Sequence, residues 1–196
     1  MNPSSSRLLL ASGSPRRREL LTQIGVEFDV FPADIEESPA PNEEPRAYVM
    51  RVATDKAMEA ERQAGSERPI LAADTEVILD GQVFGKPGDR ADFLAMMHKL
   101  SGREHQVLSA VVLRWRGRSH GALSESRVRF AAMNEQDIER YWRTGEPVGK
   151  AGGYAIQGYG ALFIAHLSGS FSGVMGLPLH ETAQLLTQAG FPVLRD

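Results

Sequence analysis

A chain of 196 residues with a formal charge of −3 is the size of one domain and lacks the basic excess that duplex nucleic acid would need. It contains no cysteine, which excludes disulfides, thiol chemistry and cysteine-ligated metals. The apolar run near its start, Leu8 to Ala11, is too short for a signal sequence or a membrane span, so the expectation is a soluble, cytoplasmic protein.

The segment RLLLAS predicts a short strand feeding a helix at SPRRREL. Ser14 suits the N-cap, Pro15 the first helical position, and Leu20, Leu21 and Ile24 give an apolar face before Gly25. The helix starts in the wrong electrical sense. Arg16, Arg17 and Arg18 crowd its first turn, where the macrodipole is already positive. A bound anion would resolve the conflict, since a strand, a small loop and a helix N-terminus converge several N–H groups. At about 100° per residue the three arginines fan around the helix, so one ligand cannot use them all. The other reading of this turn is solvated basic surface. On either reading Arg17→Ala removes a cation from a positive helix end and would slightly stabilise the free protein.

Phe28 to Phe31 reads as a strand, followed by an acidic, proline-rich loop whose Glu36 and Glu37 read by themselves as solvated charge. Pro45 opens a helix to about Ala64, with Val49, Val52, Ala53, Ala57 and Ala60 on one side. Lys56 lies on that same side, where a lysine ordinarily snorkels at the edge of the stripe. ILAADTEVILDGQVF predicts a hairpin about Asp80-Gly81. A strict two-residue turn pairs Leu79 with Gln82 and puts Lys86 opposite Thr75, on the other face from Asp74 unless Gly85 is a bulge. Asp74 is flanked by apolar residues, where a carboxylate is costly unless paired or metal-bound. It either lies near a strand end against a loop or, with Glu76 on the same face, forms an acidic pair pointing into a cleft.

Asp89 is the expected cap of a helix bearing Phe93, Leu94, Met97 and Leu100, ended by Gly102. Two longer strands, HQVLSAVVLRW and ALSESRVRFAAM, are joined around Gly117, and Asn134 caps a short helix with Ile138, Tyr141 and Trp142. Residues 145 to 176 are glycine-rich without a G-x-G-x-x-G fingerprint; the glycines serve either close approach to a ligand or a bulged strand. Pro178 opens a last helix through Leu185 and Leu186. The histidines show no metal-ligand spacing, and no Walker-type motif occurs. These elements predict a single α/β domain over residues 1–196 with a mixed sheet.

Four stretches, LLLASGSPRRREL, AADTEVILDGQVFGKP, KAGGYAIQGYG and GSFSGVMGLPL, closely resemble the Maf family of nucleoside triphosphate pyrophosphatases, in matching order from about Leu8 to Leu186. The resemblance implies a cytoplasmic, metal-dependent enzyme, often dimeric, that cuts a nucleoside triphosphate into the monophosphate and pyrophosphate. It implies a two-lobed fold with a long, twisted mixed β-sheet flanked by helices, similar to the inosine triphosphate pyrophosphatases. The family motif matches at Ser12, Ser14, Pro15, Arg16 and Arg17, whereas Arg18 falls on a variable position. The family's catalytic carboxylate maps to Asp74, its acidic-loop carboxylate to Glu37 and its two lysines to Lys56 and Lys86. The branch acting on dTTP and UTP has Arg16, Thr75 and Gln157 as specificity residues. Glu76 departs from the pattern, which has an apolar residue or threonine there.

On this reading Asp74 accepts the proton of the attacking water, and Asp74 and Glu37 hold a divalent cation, Mg²⁺ or Mn²⁺. Arg16, Arg17, Lys56 and Lys86 neutralise the phosphates, with Ser12 and Ser14 as further donors. The Gln157 carboxamide can accept from N3–H and donate to O4 of uracil or thymine, a pattern that cytosine reverses, provided that the amide is locked against flipping. The expected partners are the nucleotide and a second copy in a homodimer, with no membrane and no duplex nucleic acid. The alternatives are a nucleotide-binding regulator of septum formation whose catalysis is incidental, or the same reaction on 7-methyl-GTP. A role in clearing non-standard nucleotides and in arrest of division accompanies the family.

Overall fold

The computed structural model describes residues 7–65, 67–191 and 193, and in it the apolar runs assemble one seven-stranded mixed sheet. β1 (Leu8–Leu10) lies parallel to β2 (Phe28–Val30) and to β3 (Ile70–Leu79). β4 (Gln82–Phe84), β5 (Glu104–Trp115), β6 (Arg118–Phe130) and β7 (Ile164–Ser168) join by antiparallel pairing. The hairpins owe their geometry to two dipeptides, Asp80-Gly81 at φ 51° and 77° and Arg116-Gly117 at φ 51° and 72°. Both supply the positive φ at two successive positions that a tight, right-twisted hairpin turn requires.

Leu79 pairs with Gln82 as a strict turn predicts, but the ladder stops at Val77 and Phe84. Lys86 is therefore not laddered opposite Thr75. The chain leaves the sheet after β4 instead. This early stop opens the sheet. One edge of β3 is paired with β5 from Ile70 to Ile78. On the other edge β1 covers Ile70 and Leu71, and β4 covers Val77 to Leu79. Among the described residues no strand lies beside 72 to 76 on that edge. Asp74 sits at mid-strand, which rules out the strand-end reading.

Alternation along β3 sends successive side chains to opposite faces. Ile70, Ala72 and Ile78 pack with Val49, Ala53, Ala57 and Ala60 of α2 (Pro45–Ala64). Leu71 and Ala73 pack with Leu20 and Leu21 of α1 (Pro15–Gln23) and with Leu185 and Leu186 of a helix at Leu179–Gln188. Val77, Leu79 and Val107 pack with Phe93 and Met97 of α3 (Arg90–Leu100) and Ile138 of α4 (Glu135–Arg143). By the same parity Asp74 and Glu76 fall on the α2 face, and Thr75 on the opposite one.

Asp89 and Asn134 cap as expected, accepting from the N–H groups of Asp92 and Asp137. Ser14 takes the extended cap conformation, but its side chain makes no cap bond. β6 starts four residues before Ala122 and ends at Phe130, so AAM lies beyond it. The glycine-rich stretch hides β7 and a short α5 (Phe171–Met175), ahead of the final helix, α6. Among the described residues no helix is long and apolar enough to cross a membrane.

His105 on β5 is 2% exposed; its Nε2 meets the Tyr154 hydroxyl at 2.8 Å, and Nδ1 has no partner among the described residues. Burial pushes its pKa down from 6.5 to about 4. Between those values the unfolded chain takes up a proton that the fold refuses. The His105 contribution is therefore complete above pH 6.5 and is lost as pH falls toward 4, by on the order of 3 kcal/mol. Urea unfolding from pH 4 to 7 should show a steeper pH slope for the native protein than for His105→Gln. Equal slopes would assign the acid sensitivity to other groups.

Candidate active site

The unpaired stretch of β3 gives one cleft access to both of its faces. The cleft encloses about 760 Å³, within the range of small-molecule sites, and five basic and five acidic side chains line it. Every residue that the family resemblance assigns to the site borders it: Ser12, Ser14, Arg16, Arg17, Glu37, Lys56, Asp74, Thr75, Lys86 and Gln157.

On the α2 face a chain of ion pairs crosses the site. Lys56 Nζ lies 2.8 Å from Asp74 Oδ1 and 2.9 Å from Glu37 Oε1, and Lys86 Nζ is 3.3 Å from Glu37 Oε2. Lys56 is 7% exposed and Asp74 3%, so Lys56 does not snorkel; Glu37 is an exposed residue, but its carboxylate is paired with both lysines. The α2 stripe is apolar except where it meets the acidic part of β3, and there it places its cation. Burial works to raise the Glu37 pKa, but Lys56 and Lys86 outweigh it and hold the carboxylate below its ordinary range.

Glu76 is buried beside them, without a lysine of its own within ion-pair distance among the described residues. Burial, then the charges of Asp74 and Glu37, push its pKa up to about 8. Asp74 Oδ2 and Glu76 Oε2 have no hydrogen-bond partner among the described residues. Among the described residues no group of three or more His, Cys, Asp or Glu side chains is gathered so that it could hold a metal ion. Mg²⁺ is habitually held by one or two carboxylates completed by phosphate oxygens.

On the α1 side Arg16 and Arg17 turn toward the end of α5. Arg16 Nε donates to the Met175 carbonyl at 3.1 Å and Arg17 Nε to the Gly176 carbonyl at 2.8 Å. Cations from the start of one helix thereby cap the carboxyl end of another, where positive charge is favoured. Arg17 Nη1 also donates to Ser12 Oγ at 3.1 Å, and the Ser14 N–H donates to the same oxygen at 3.2 Å. Truncating Arg17 would take the side-chain donor from the Gly176 carbonyl and leave Ser12 Oγ with the Ser14 N–H alone, which offsets the relief at the helix end that the sequence alone predicts. Arg18 is exposed and off the cleft, as the fan of three arginines requires. Burial lowers the pKa of both Arg16 and Arg17.

Thr75, on the opposite face, shares a hydroxyl contact of 2.9 Å with Ser109, its register partner on β5. Ser109 Oγ donates to the Gly173 carbonyl at 2.6 Å, which ties α5, and with it the arginine acceptors, to the sheet. The Gln157 side chain is exposed toward the cleft and has no hydrogen bond among the described residues, so none of those residues locks its amide. Sequence reasoning passed over Ser109, Tyr141, Glu146 and Lys150. The one available signal was the lone acid of TGEPVGK among glycines.

A sequence model of the Maf-like protein family matches residues 7–189. The chain belongs to the Maf family. Among curated Maf relatives, the dTTP/UTP pyrophosphatase of Methylococcus capsulatus is 54% identical over 196 residues, with 100% of this chain and 96% of that protein covered. The dTTP/UTP pyrophosphatase of Bordetella pertussis is 50% identical over 195 residues, covering 95% and 94%. A nucleoside-triphosphatase, dITP/XTP pyrophosphatase, from Mycobacterium abscessus superposes with a TM-score of 0.50 at 18% identity, over 93% of this chain and 94% of its own. At that identity the likeness shows that the Maf chain shares its mixed-sheet architecture.

Proposed function

We propose that this Maf protein hydrolyses dTTP and UTP between the α- and β-phosphates, releasing the monophosphate and pyrophosphate. The observation that carries the reading is Lys56 held between Asp74 and Glu37 in a cleft that also receives Arg16 and Arg17. The names of the relatives from Methylococcus and Bordetella support the choice of nucleotide.

Arg16, Arg17, Lys56 and Lys86 neutralise the triphosphate, since a loose phosphoryl transition state asks mainly for positioning and charge. Ser12 Oγ already accepts two hydrogen bonds, which leaves its own proton for a phosphate oxygen. The first-turn N–H groups of α1, uncovered by a Ser14 side-chain cap, add donors at a positive helix end. Asp74 keeps Oδ1 on Lys56 and offers Oδ2 to the proton of the water. The water oxygen bonds to the α-phosphorus, the bridging oxygen departs with pyrophosphate, and the proton passes to Asp74. Thr75 and Gln157 select the base.

The oxygen donors fit a hard divalent cation, Mg²⁺ or Mn²⁺, with Asp74 and Glu37 as protein ligands. A triphosphate competes with Glu37 for Lys56 and Lys86, which frees the Glu37 oxygens. When bound, the cation draws charge from the phosphoryl oxygens. A cytoplasmic homodimer and a single domain over the whole chain belong to the same reading.

Purified protein with Mg²⁺ or Mn²⁺ should convert dTTP and UTP to monophosphate and pyrophosphate, ahead of CTP, GTP and 7-methyl-GTP, and chelation should stop it. Release of orthophosphate and a diphosphate would overturn the cleavage position. Arg17→Ala should weaken all accepted nucleotides by similar factors, more mildly at high salt. Gln157→Ala should instead narrow the preference for UTP over CTP, by about 1–3 kcal/mol. The reverse pattern would show that the division between phosphate grip and base choice is wrong.

A further inference from the structure

Gln157 reaches the cleft from a loop, residues 155 to 160, whose two flanks are tied to the same pair of side chains. The Ala155 N–H donates to the Tyr141 hydroxyl oxygen at 3.1 Å, and that hydroxyl donates to Glu146 Oε1 at 2.7 Å. The Gly160 N–H donates to the same Oε1 at 2.9 Å, and the Tyr159 N–H to Oε2 at 2.8 Å. One phenol and one carboxylate therefore fix the backbone two residues before Gln157 and two and three residues after it.

The packing is as tight as the bonding. A Cβ at position 158 would stand 2.0 Å from Glu146 Oε2, and one at 160 would stand 2.6 Å from the Ala155 carbonyl and 2.8 Å from the Tyr141 hydroxyl. Only glycine allows the loop to close this far onto the pair. Tyr141 is buried on α4, and Glu146 sits after that helix on the cleft wall. Burial works to raise the Glu146 pKa, and the hydrogen bonds from Gly160, Tyr141 and Tyr159 outweigh it and keep the group anionic. Its charge also acts on Arg16, so the anion that holds the loop faces the phosphate side of the site as well.

We propose that Glu146 and Tyr141 are a positioning pair for base selection, which holds loop 155–160 so that the Gln157 amide meets the pyrimidine edge at a set distance. The proposal rests on the reading of Gln157 as the base-reading residue. A carboxylate is needed because it accepts at both oxygens. A carboxamide at 146 presents N–H₂ at one of them, opposite a backbone N–H, and loses that bond. A side chain aimed by its backbone alone loses discrimination when the backbone loosens by a fraction of an ångström.

The test uses Glu146→Gln and Tyr141→Phe, with Gln157→Ala and the native protein alongside. For each, kcat and KM are measured on UTP and CTP, together with hydrogen–deuterium exchange of peptides spanning 155–160 and inhibition by inorganic tripolyphosphate. In Glu146→Gln the exchange should quicken about tenfold and the UTP-to-CTP ratio of kcat/KM should fall about tenfold, mainly through KM for UTP. Tyr141→Phe, a milder change that removes the shared hydroxyl, should move both in the same direction. Tripolyphosphate inhibition should change little in Tyr141→Phe and tighten modestly in Glu146→Gln, which removes an anion that acts on Arg16. If Gln157→Ala loses the ratio while Glu146→Gln and Tyr141→Phe keep it, the pair is only structural and the proposal is overturned. If Glu146→Gln loses the ratio and Gln157→Ala keeps it, the pair stands and the Gln157 reading falls. If no variant moves the ratio, both fall, whatever the exchange shows.

Discussion

Asp74→Asn is expected to lower turnover of dTTP and UTP by about 10²–10⁴-fold, the usual cost of losing a general base. The substitution keeps the shape of the side chain, and an asparagine oxygen can still accept from Lys56. Lys56 in turn keeps its contact with Glu37 at 2.9 Å, so no cation is left unpaired. The fold should survive with little change in unfolding temperature. Nucleotide affinity measured without a divalent cation should survive as well, because the arginines and lysines that grip phosphate are untouched. Steady-state hydrolysis and equilibrium binding of dTTP on one preparation separate the two effects. Near-normal turnover would remove Asp74 from the role of base. It would favour the reading in which nucleotide binding is the purpose and hydrolysis incidental.

Lys56→Met should produce the largest loss of stability of any single change at the site. Asp74 is 3% exposed, and Lys56 is its sole ion-pair partner among the described residues. Removing one member of a buried pair leaves an uncompensated charge and costs about 3–5 kcal/mol. In a chain of this size that lowers the midpoint of thermal unfolding by on the order of 10 °C. The distinguishing measurement is the double variant. Lys56→Met with Asp74→Asn removes both charges and should recover part of the loss, a coupling that simple packing damage does not show. Strictly additive destabilisation would mean that the ion pair carries no weight.

Much of the architecture was legible because its determinants are local. Asp80-Gly81 and the turn at Gly117 announce hairpins through their need for positive φ, and the period of α2 was visible from Pro45 to Ala64. The caps at Asp89 and Asn134 were readable for the same reason. β7 and α5 were not, because their residues, exposed or pressed against neighbours by glycines, carry no regular apolar period. The site residues were legible mainly through resemblance to the family. Their spacing by itself left Lys56 as a snorkelling lysine and Glu37 as solvated charge.

The sequence by itself determined most of the elements, the turn geometries, and a cationic helix start that was either an anion site or solvated basic surface. Only the tertiary structure decided what meets what. The arginine conflict is met within the chain by carbonyls 159 residues away, and Lys56 finds Asp74 across 18 residues. The five-residue opening on the edge of β3 exists because β1 and β4 cover its two ends and leave its middle bare. Periodicity and propensity report what a residue does with its near neighbours. An ion pair between a helix and a strand, or a gap between two ladders, depends on packing that brings distant segments together, and no local pattern encodes it.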